Sequence, residues 1–212
     1  MSAPGSSPDA RTASALRAVA VYCGFREGAR PAYRAAAVIL GEQLAVRGIT
    51  LIYGGGGRGM MRAVADAALA AGGSVVGVIP VSLVEREEAH SGLSVGGGQG
   101  SRLEVVVNMH QRKARMLELA DACVVLPGGF GTLDETFEVL TWAQLGLHAK
   151  PCGMVDVDGY FRSLLGFIDD AVAGGFVSRA DRALLRVGPT PEAVLDDLAR
   201  AVRGRSVDTD QG

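Results

Sequence analysis

The chain of 212 residues has few aromatic residues, no long apolar run and no excess of charge of either sign. Aromatics make up 5% of the sequence, so alanine, valine and leucine must fill the core, which suits helices packed closely on a parallel sheet. No apolar run approaches the roughly 18 residues that a membrane helix needs, so no membrane span is predicted. A formal net charge of −2 provides no global basic field, and we therefore predict no binding to DNA or RNA.

Cysteine is also scarce. Cys23, Cys123 and Cys152 are widely spaced and form no C-x-x-C pair, so neither a disulfide framework nor a zinc site is implied. Each lies in or beside an apolar run, which predicts reduced core thiols in a cytoplasmic protein. The three histidines show no metal-ligand spacing either, and no metal is expected.

The ends of the chain differ in composition from its middle. Residues 1–15 are rich in serine, proline, glycine and alanine without an apolar segment, which predicts a disordered lead rather than a signal peptide. Residues 204–212 are predicted to form a flexible tail. Residues 16–203 have the length of one α/β domain.

Within this domain, short β-branched runs alternate with segments of helical period. Strands are predicted at Ala18–Cys23, Ile49–Tyr53, Ser74–Ile79, Leu103–Val107, Ala122–Leu126 and Cys152–Val157. Helices are predicted at Pro31–Arg47, Met60–Ala71, Met109–Ala120, Thr132–Leu147, Tyr160–Ala173 and Pro191–Arg203. The alternation predicts a single-domain α/β fold, a Rossmann-like parallel sheet with helices on both faces. Ligands of such sheets bind at the carboxyl ends of the strands.

A glycine-rich loop, YGGGGRGMM, follows the second predicted strand. Gly54, Gly56 and Gly59 match the pattern G-x-G-x-x-G, in which glycines let the backbone approach a phosphate at a helix N-terminus. No acidic residue ends the next strand, where a dinucleotide-binding fold would place one, and no G-K-[ST] follows. The loop is therefore either a phosphate site, with Gly55, Gly56, Gly57 and Gly59 as its contacts, or a tight turn between strand and helix.

A second glycine-rich loop, Pro127–Glu135 (PGGFGTLDE), follows the fifth predicted strand. Its three glycines allow close approach by an anion, and Thr132 offers a hydroxyl group. The same segment matches a capping box, with Thr132 as the N-cap and Glu135 at the N3 position, which would explain both residues without chemistry. Three glycines are more than a cap requires, and this favours an anion site.

The segment Met109–Met116 (MHQRKARM) places two cations, Arg112 and Lys113, on the first turn of a helix after the fourth strand. Cations are unfavourable there because they oppose the helix dipole. Either another charged group compensates this cost, or the two side chains are solvated. Together the three loops supply amides, a hydroxyl, two cations and a carboxylate. Amides and cations suit a phosphate, and a carboxylate beside a sugar phosphate suits N-glycosidic cleavage through a cationic sugar.

The three motifs together resemble the LOG family of cytokinin riboside 5′-monophosphate phosphoribohydrolases, from about Val19 to Val177. The resemblance implies hydrolysis of adenosine 5′-monophosphate, N6-modified or not, to the free base and ribose 5-phosphate, without a metal or other cofactor. It also implies a homodimer. The apolar segment Thr136–Leu147 is a candidate interface, although core packing would explain it equally well.

The resemblance implies roles for individual residues. Arg112 and Glu135 match the catalytic pair of the family. Glu87 matches a glutamate that reaches the substrate, with a solvated charge in an acidic loop as the alternative. Further matches to positions that line the nucleotide are Lys113, Gly128, Gly129, Phe130, Gly131, Thr132, Leu133, Asp134 and Thr141.

The sequence departs from the family mainly after the first strand. The usual C-G-S-S is replaced by Cys23–Arg26 (CGFR), which puts bulk and charge where small hydroxyls normally lie near the sugar. Arg62 is a second departure. These changes concern base specificity more than the chemistry, and Phe25 and Arg26 could admit a different phosphorylated ligand.

Two further alternatives concern the reaction itself. A non-catalytic nucleotide-binding or carrier protein could use the same fold, because a fold does not determine a function. The older label of the family, lysine decarboxylase, would require pyridoxal phosphate on a lysine. Lys113 and Lys150 are the only lysines of the chain and lie in no recognisable cofactor setting, so this function is rejected.

Overall fold

Seven strands and seven α-helices are formed by the residues that the computed structural model describes, which are 16–84, 89–96 and 100–208. The strands are β1 (Ala18–Tyr22), β2 (Thr50–Tyr53), β3 (Val75–Pro80), β4 (Arg102–Val106), β5 (Ala122–Val125), β6 (Cys152–Val155) and β7 (Leu185–Gly188). The helices are α1 (Pro31–Val46), α2 (Gly59–Ala70), α3 (Met109–Leu119), α4 (Phe130–Gln144), α5 (Arg162–Ala173), α6 (Arg179–Arg182) and α7 (Pro191–Asp208).

All seven strands belong to one parallel sheet in the order β4-β3-β2-β1-β5-β6-β7. The chain builds outward from β1 to β4 on one side and then returns to place β5 on the other side of β1. The connections after β1 and β5 therefore diverge to opposite faces of the sheet. A crevice at the carboxyl ends of two such strands is where open α/β sheets bind their ligands.

The sheet is buried on both faces because alternate side chains of each strand point in opposite directions. Val19 and Val21 of β1 face α1, α2 and α7 in one apolar cluster. Ala20 and Tyr22 face α3, α4 and α5 in a second cluster. Burial of each large aliphatic side chain stabilises such a core by about 1.5–3 kcal/mol. The predicted α/β fold with helices on both faces is confirmed.

The predicted and observed elements differ mainly near the C-terminus. The six predicted strands are present, with ends shifted by up to two residues, but β7 and the short α6 were not predicted. Helix α7 continues to Asp208, five residues beyond its predicted end. The predicted lead, residues 1–15, lies outside the described residues, so the proposed domain limits stay a prediction.

The cysteines lie where the sequence predicted them. Cys23, Cys123 and Cys152 are buried free thiols at strands of the central sheet. Burial raises the pKa of the Cys123 thiol to about 12, so this thiol stays protonated at neutral pH. Within the described ranges, no helix is long and apolar enough to cross a membrane.

Candidate active site

A cavity of about 520 Å³ opens at the carboxyl ends of β1 and β5, where the strand order reverses. Its wall contains Arg112, Glu135 and most of the second glycine-rich loop, all of which the sequence predicted as site residues. The predicted site residues in the wall are Arg112, Gly128, Gly129, Phe130, Gly131, Thr132 and Glu135. Gly54 of the first glycine-rich loop also lines the cavity, and residues without a predicted role include Met61, Met109, Tyr33 and Tyr160.

The loops around the cavity are joined through Gly24. Its amide donates a hydrogen bond to the Pro127 carbonyl at 3.0 Å, and its carbonyl accepts one from the Met60 amide at 3.1 Å. A Cβ atom on Gly24 would lie 3.3 Å from the Cα atom of Gly128, a tight contact. Glycine at this position therefore allows the loop after β1 to lie directly against the loop after β5.

Arg112, the fourth residue of α3, is only 5% exposed. Its Nη1 atom lies 3.6 Å from the Met109 sulfur and its Nη2 atom 3.9 Å from the Met61 sulfur, and thioethers are weak acceptors. A Cβ atom on Gly54 would collide with Nη2. The glycine that follows β2 thus makes room for a buried guanidinium in the cavity wall.

Helix α4 begins earlier than the sequence predicted, and the predicted capping box is absent. Gly129 occupies the N-cap position, which glycine tolerates well, and the helix starts at Phe130. Thr132 and Glu135 are therefore the third and sixth helical residues, and neither caps the helix. Both are buried, at 3% and 8% exposure, and both line the cavity.

The wall of the cavity combines opposite charges around one thiol. Burial raises the pKa of Cys23, the Glu135 carboxylate raises it further, and the Arg112 guanidinium opposes the shift. The same carboxylate raises the pKa values of Tyr22 and Cys123, in both cases after the larger effect of burial. The charge of Glu135 therefore acts on groups at the carboxyl end of β1 and within β5.

Lys113 and Asp134, two predicted nucleotide contacts, pair with each other instead of lining the cavity. Lys113 Nζ lies 3.1 Å from Asp134 Oδ2 and 3.0 Å from Glu138 Oε1, which links α3 to α4. Burial would lower the pKa of Lys113, but the hydrogen bonds with Glu138 and Asp134 raise it more.

Two other predicted contacts on α4 also lie away from the cavity wall. Leu133 is half-buried against the apolar cluster beneath α4. Thr141 is exposed, and its hydroxyl donates to the Phe137 carbonyl at 2.7 Å within the helix. Glu87 lies outside the described residues. A direct role in nucleotide binding stays a prediction for all three.

The first glycine-rich loop makes contacts with protein rather than lining the cavity, apart from Gly54. Gly55 and Gly59 have positive φ angles of 76° and 57°, which favour glycine. A Cβ atom on Gly59 would collide with the Phe25 carbonyl. Gly56 pairs with Ala89 through an antiparallel bridge. These are the contacts of a tight turn, and phosphate binding by Gly55, Gly56, Gly57 and Gly59 stays a prediction.

The departures from the family pattern after β1 lie at the cavity. Phe25 and Arg26 both contribute to its wall. The neighbouring Glu27 forms an ion pair with Arg34, with 3.3 Å between Oε1 and Nε. Bulk and a positive charge are therefore added to the cavity itself.

Tyr160 was not predicted as a site residue, although it follows an Asp-Gly pair that signals a turn. Asp158 and Gly159 have φ angles of 52° and 72°, in the left-handed region that aspartate and glycine tolerate best. The turn brings Tyr160 to the cavity, where its hydroxyl donates to the Gly128 carbonyl at 2.6 Å. A sequence pattern cannot reveal this contact because 32 residues separate its partners.

Metal ligation finds no support in the residues that can be described, since no group of three or more histidine, cysteine, aspartate or glutamate side chains converges there. The cavity instead combines backbone amides at the start of α4 with one buried cation and one buried carboxylate. Amides and a helix N-terminus favour an anion such as phosphate. A carboxylate beside them can stabilise positive charge that develops on a bound sugar.

Known structures share this fold at low sequence identity. The molybdenum cofactor carrier protein of Chlamydomonas reinhardtii superposes with a TM-score of 0.61 at 19% identity, over 89% of this chain and 99% of its own. The molybdenum cofactor binding protein of Rippkaea orientalis gives a TM-score of 0.61 at 20% identity, over 86% and 95% of the two chains. Identities this low establish the shared fold alone.

Sequence relatives are much closer. A family model described as "Possible lysine decarboxylase" matches residues 61–198. A probable cytokinin riboside 5′-monophosphate phosphoribohydrolase of Oryza sativa subsp. japonica is 46% identical over 185 residues, 87% of this chain and 71% of the relative. A cytokinin riboside 5′-monophosphate phosphoribohydrolase of Arabidopsis thaliana is 45% identical, over 87% and 83% of the two chains. The chain therefore belongs to the LOG family, the family of these phosphoribohydrolases.

Proposed function

We propose that this protein hydrolyses the N-glycosidic bond of adenosine 5′-monophosphate, with or without an N6 substituent, to the free base and ribose 5-phosphate. The observation that carries the proposal is the presence of a buried guanidinium, Arg112, and a buried carboxylate, Glu135, in the wall of one cavity. Membership of the LOG family and the names of its curated relatives support it.

The phosphate would bind at the glycine-rich start of α4. Gly129 and Gly131 line the cavity there, and a Cβ atom on either would meet no atom within 4 Å apart from its neighbours along the chain, so there is room for a ligand beside them. The N-terminus of α4 favours negative charge, and the Thr132 hydroxyl lies against Gly128. The 5′-phosphate would thereby anchor the sugar next to Glu135.

Glu135 and Arg112 would share the chemistry. As the bond between the base and C1′ of the ribose breaks, positive charge develops on the sugar ring, and the Glu135 carboxylate would stabilise it. The same carboxylate would orient a water molecule toward C1′ and take its proton, which finally leaves with the base. Arg112 would orient the nucleotide and balance the charge of its phosphate.

An assay of both products tests the function. We expect equimolar release of base and ribose 5-phosphate from AMP or N6-prenyl-AMP, with no loss of rate in EDTA because the proposed mechanism uses no metal. Adenosine should react at least about a hundredfold more slowly, because it lacks the phosphate whose binding energy orients the sugar. Absence of ribose 5-phosphate from every nucleotide tested at micromolar enzyme would contradict the proposal. Tight AMP binding without turnover would instead support the carrier alternative.

We further propose that the protein is a homodimer whose interface is formed by α4, the turn after it and α5. Leu145 and Leu147 are 67% and 69% exposed, and Phe167 of α5 is 67% exposed. Thr136 and Val139 of α4 are buried in the protein core, so α4 contributes to the core on one side and presents apolar residues on the other. Helices α4 and α5 pack on the same face of the sheet, and exposed apolar residues on one face are typical of a protein–protein interface.

Sedimentation velocity of two aspartate variants tests this interface. Phe167→Asp should convert a dimeric wild type into monomers, because the interface would have to bury an unpaired charge. Val46→Asp is the matched control, since Val46 is 79% exposed on α1 at the opposite face of the sheet and should leave the dimer intact. A monomeric wild type, or a Phe167→Asp variant that stays dimeric, would refute the interface.

The cytoplasm is the compartment that we propose for the protein. Its three cysteines are free thiols rather than disulfides, which suits a reducing environment. The location stays a prediction.

A further inference from the structure

We infer that Tyr160 is a positioning residue that fixes the peptide group between Gly128 and Gly129 in the orientation that binds phosphate. Its hydroxyl donates a hydrogen bond of 2.6 Å to the Gly128 carbonyl, and its side chain forms part of the cavity wall. The inference rests on the proposed placement of the substrate phosphate at this loop. It assigns Tyr160 no contact with the reacting atoms.

The peptide group between two glycines needs such a restraint. Neither Gly128 nor Gly129 has a side chain that resists rotation, so the peptide between them can flip at little cost. A flipped peptide would point its carbonyl oxygen toward the bound phosphate, where the amide is needed. The carbonyl oxygen carries partial negative charge and would repel the anion. The peptide is trans, so its carbonyl and amide point in opposite directions. The hydrogen bond to Tyr160 therefore fixes both groups.

Tyr160 is itself held in place by its surroundings. Its ring packs edge-on against Tyr33 and Phe161, with centroid distances of 5.2 Å and 4.8 Å. Phe161 is 2% exposed, and its amide donates to Asp156 Oδ1 at 2.7 Å. The Tyr160 ring thus packs against a residue that is fixed in the core. Its hydroxyl is therefore held in place as a hydrogen-bond donor to the loop that contains Gly128.

The other side of the loop is also fixed. Gly24 donates to the Pro127 carbonyl, and Thr132 lies against Gly128 so closely that a Cβ atom there would collide with its hydroxyl. These contacts hold the residues on both sides of the Gly128–Gly129 peptide. Among the described residues, the hydrogen bond from Tyr160 is the contact that acts on the carbonyl of that peptide directly.

Tyr160→Phe removes this hydrogen bond and keeps the aromatic packing. We expect affinity for AMP and for ribose 5-phosphate to fall about three- to tenfold, the effect of one hydrogen bond, with KM rising equally and kcat almost unchanged. Binding of adenosine should not change, because it lacks the phosphate. A merely structural role would weaken nucleoside and nucleotide alike and lower the melting temperature.

Calorimetric titration of wild type and variants with AMP, ribose 5-phosphate and adenosine makes the test independent of turnover. Tyr53→Phe is the matched control, since the buried Tyr53 hydroxyl has no hydrogen-bond partner in the described part of the chain and lies outside the cavity wall. It should leave all three affinities unchanged.

The outcomes separate this inference from the proposed function. Equal affinities of Tyr160→Phe and wild type for both phosphorylated ligands would overturn the inference, whether or not the protein hydrolyses AMP. Failure of the wild type to bind either phosphorylated ligand would overturn it too. Weaker phosphate binding in the variant, together with no turnover by the wild type, would support the inference and refute the hydrolase.

Discussion

Replacement of Glu135 by glutamine is expected to lower kcat for ribose 5-phosphate release about a thousandfold, the scale of losing a principal charge-stabilising group. Glutamine has nearly the same shape but no charge to stabilise the cationic sugar or to take a proton from water. The position of Glu135 separates a chemical role from a role in helix capping. Because it is the sixth residue of α4 and does not cap the helix, the substitution cannot act through a lost cap.

AMP affinity and the melting temperature should both survive this substitution, since the phosphate would bind at the start of α4. Glu138→Gln is a matched control one turn further along α4. Its carboxylate pairs with Lys113 instead of facing the cavity, so kcat should change little. A Glu135→Gln enzyme with the kcat of wild type would remove Glu135 from the mechanism.

Arg112→Met is expected to lower kcat/KM by about a hundredfold or more, because a cation that balances the phosphate and orients the nucleotide is lost. Methionine suits this position sterically, since two methionine sulfurs, of Met61 and Met109, already lie beside the guanidinium. The fold should therefore be retained, as circular dichroism and the melting temperature would verify. Steady-state kinetics within threefold of wild type would refute a role for Arg112.

Gly54→Ala tests the same residue without removing its charge. A Cβ atom on Gly54 would collide with Nη2 of Arg112, so the guanidinium must move. We therefore expect kcat/KM to fall, by less than in Arg112→Met, although the arginine itself is unchanged. Gly204→Ala on α7 is the control, since a Cβ atom there meets no neighbour within 4 Å and alanine favours a helix. Normal kinetics of Gly54→Ala would show that the exact position of Arg112 is not needed.

Much of the fold could be predicted because central parallel strands leave a strong pattern. Val19–Tyr22 is buried on both faces and reads as a continuous apolar run. Strand β7 was missed because it lies at the edge of the sheet, where only Leu185 of its four residues is buried. An edge strand of four residues carries too little pattern to be separated from a loop.

The sequence was sufficient to predict which loops form the site. It was not sufficient to predict which side chains contact each other there. The capping-box interpretation of Thr132 and Glu135 was wrong because Gly129 can occupy the N-cap itself, which shifts the helix start without changing the motif. Lys113 and Asp134 pair with each other across 21 residues. Such pairings depend on how α3 and α4 pack, and a linear pattern does not contain that information.

The reversal of strand order beside β1 has a consequence for how this cavity can change over time. Arg112 and Glu135 belong to helices that cover one face of the sheet, whereas Phe25 and Arg26 precede α1 on the other face. If Arg112 and Glu135 carry the reaction as proposed, reactivity and ligand choice reside in separate parts of the chain that meet at the crevice. Residues such as Phe25 and Arg26, which are exposed, can be exchanged without disturbing the buried pair. We therefore expect that changes at Phe25 and Arg26 can alter the preferred nucleotide while the proposed reaction stays the same.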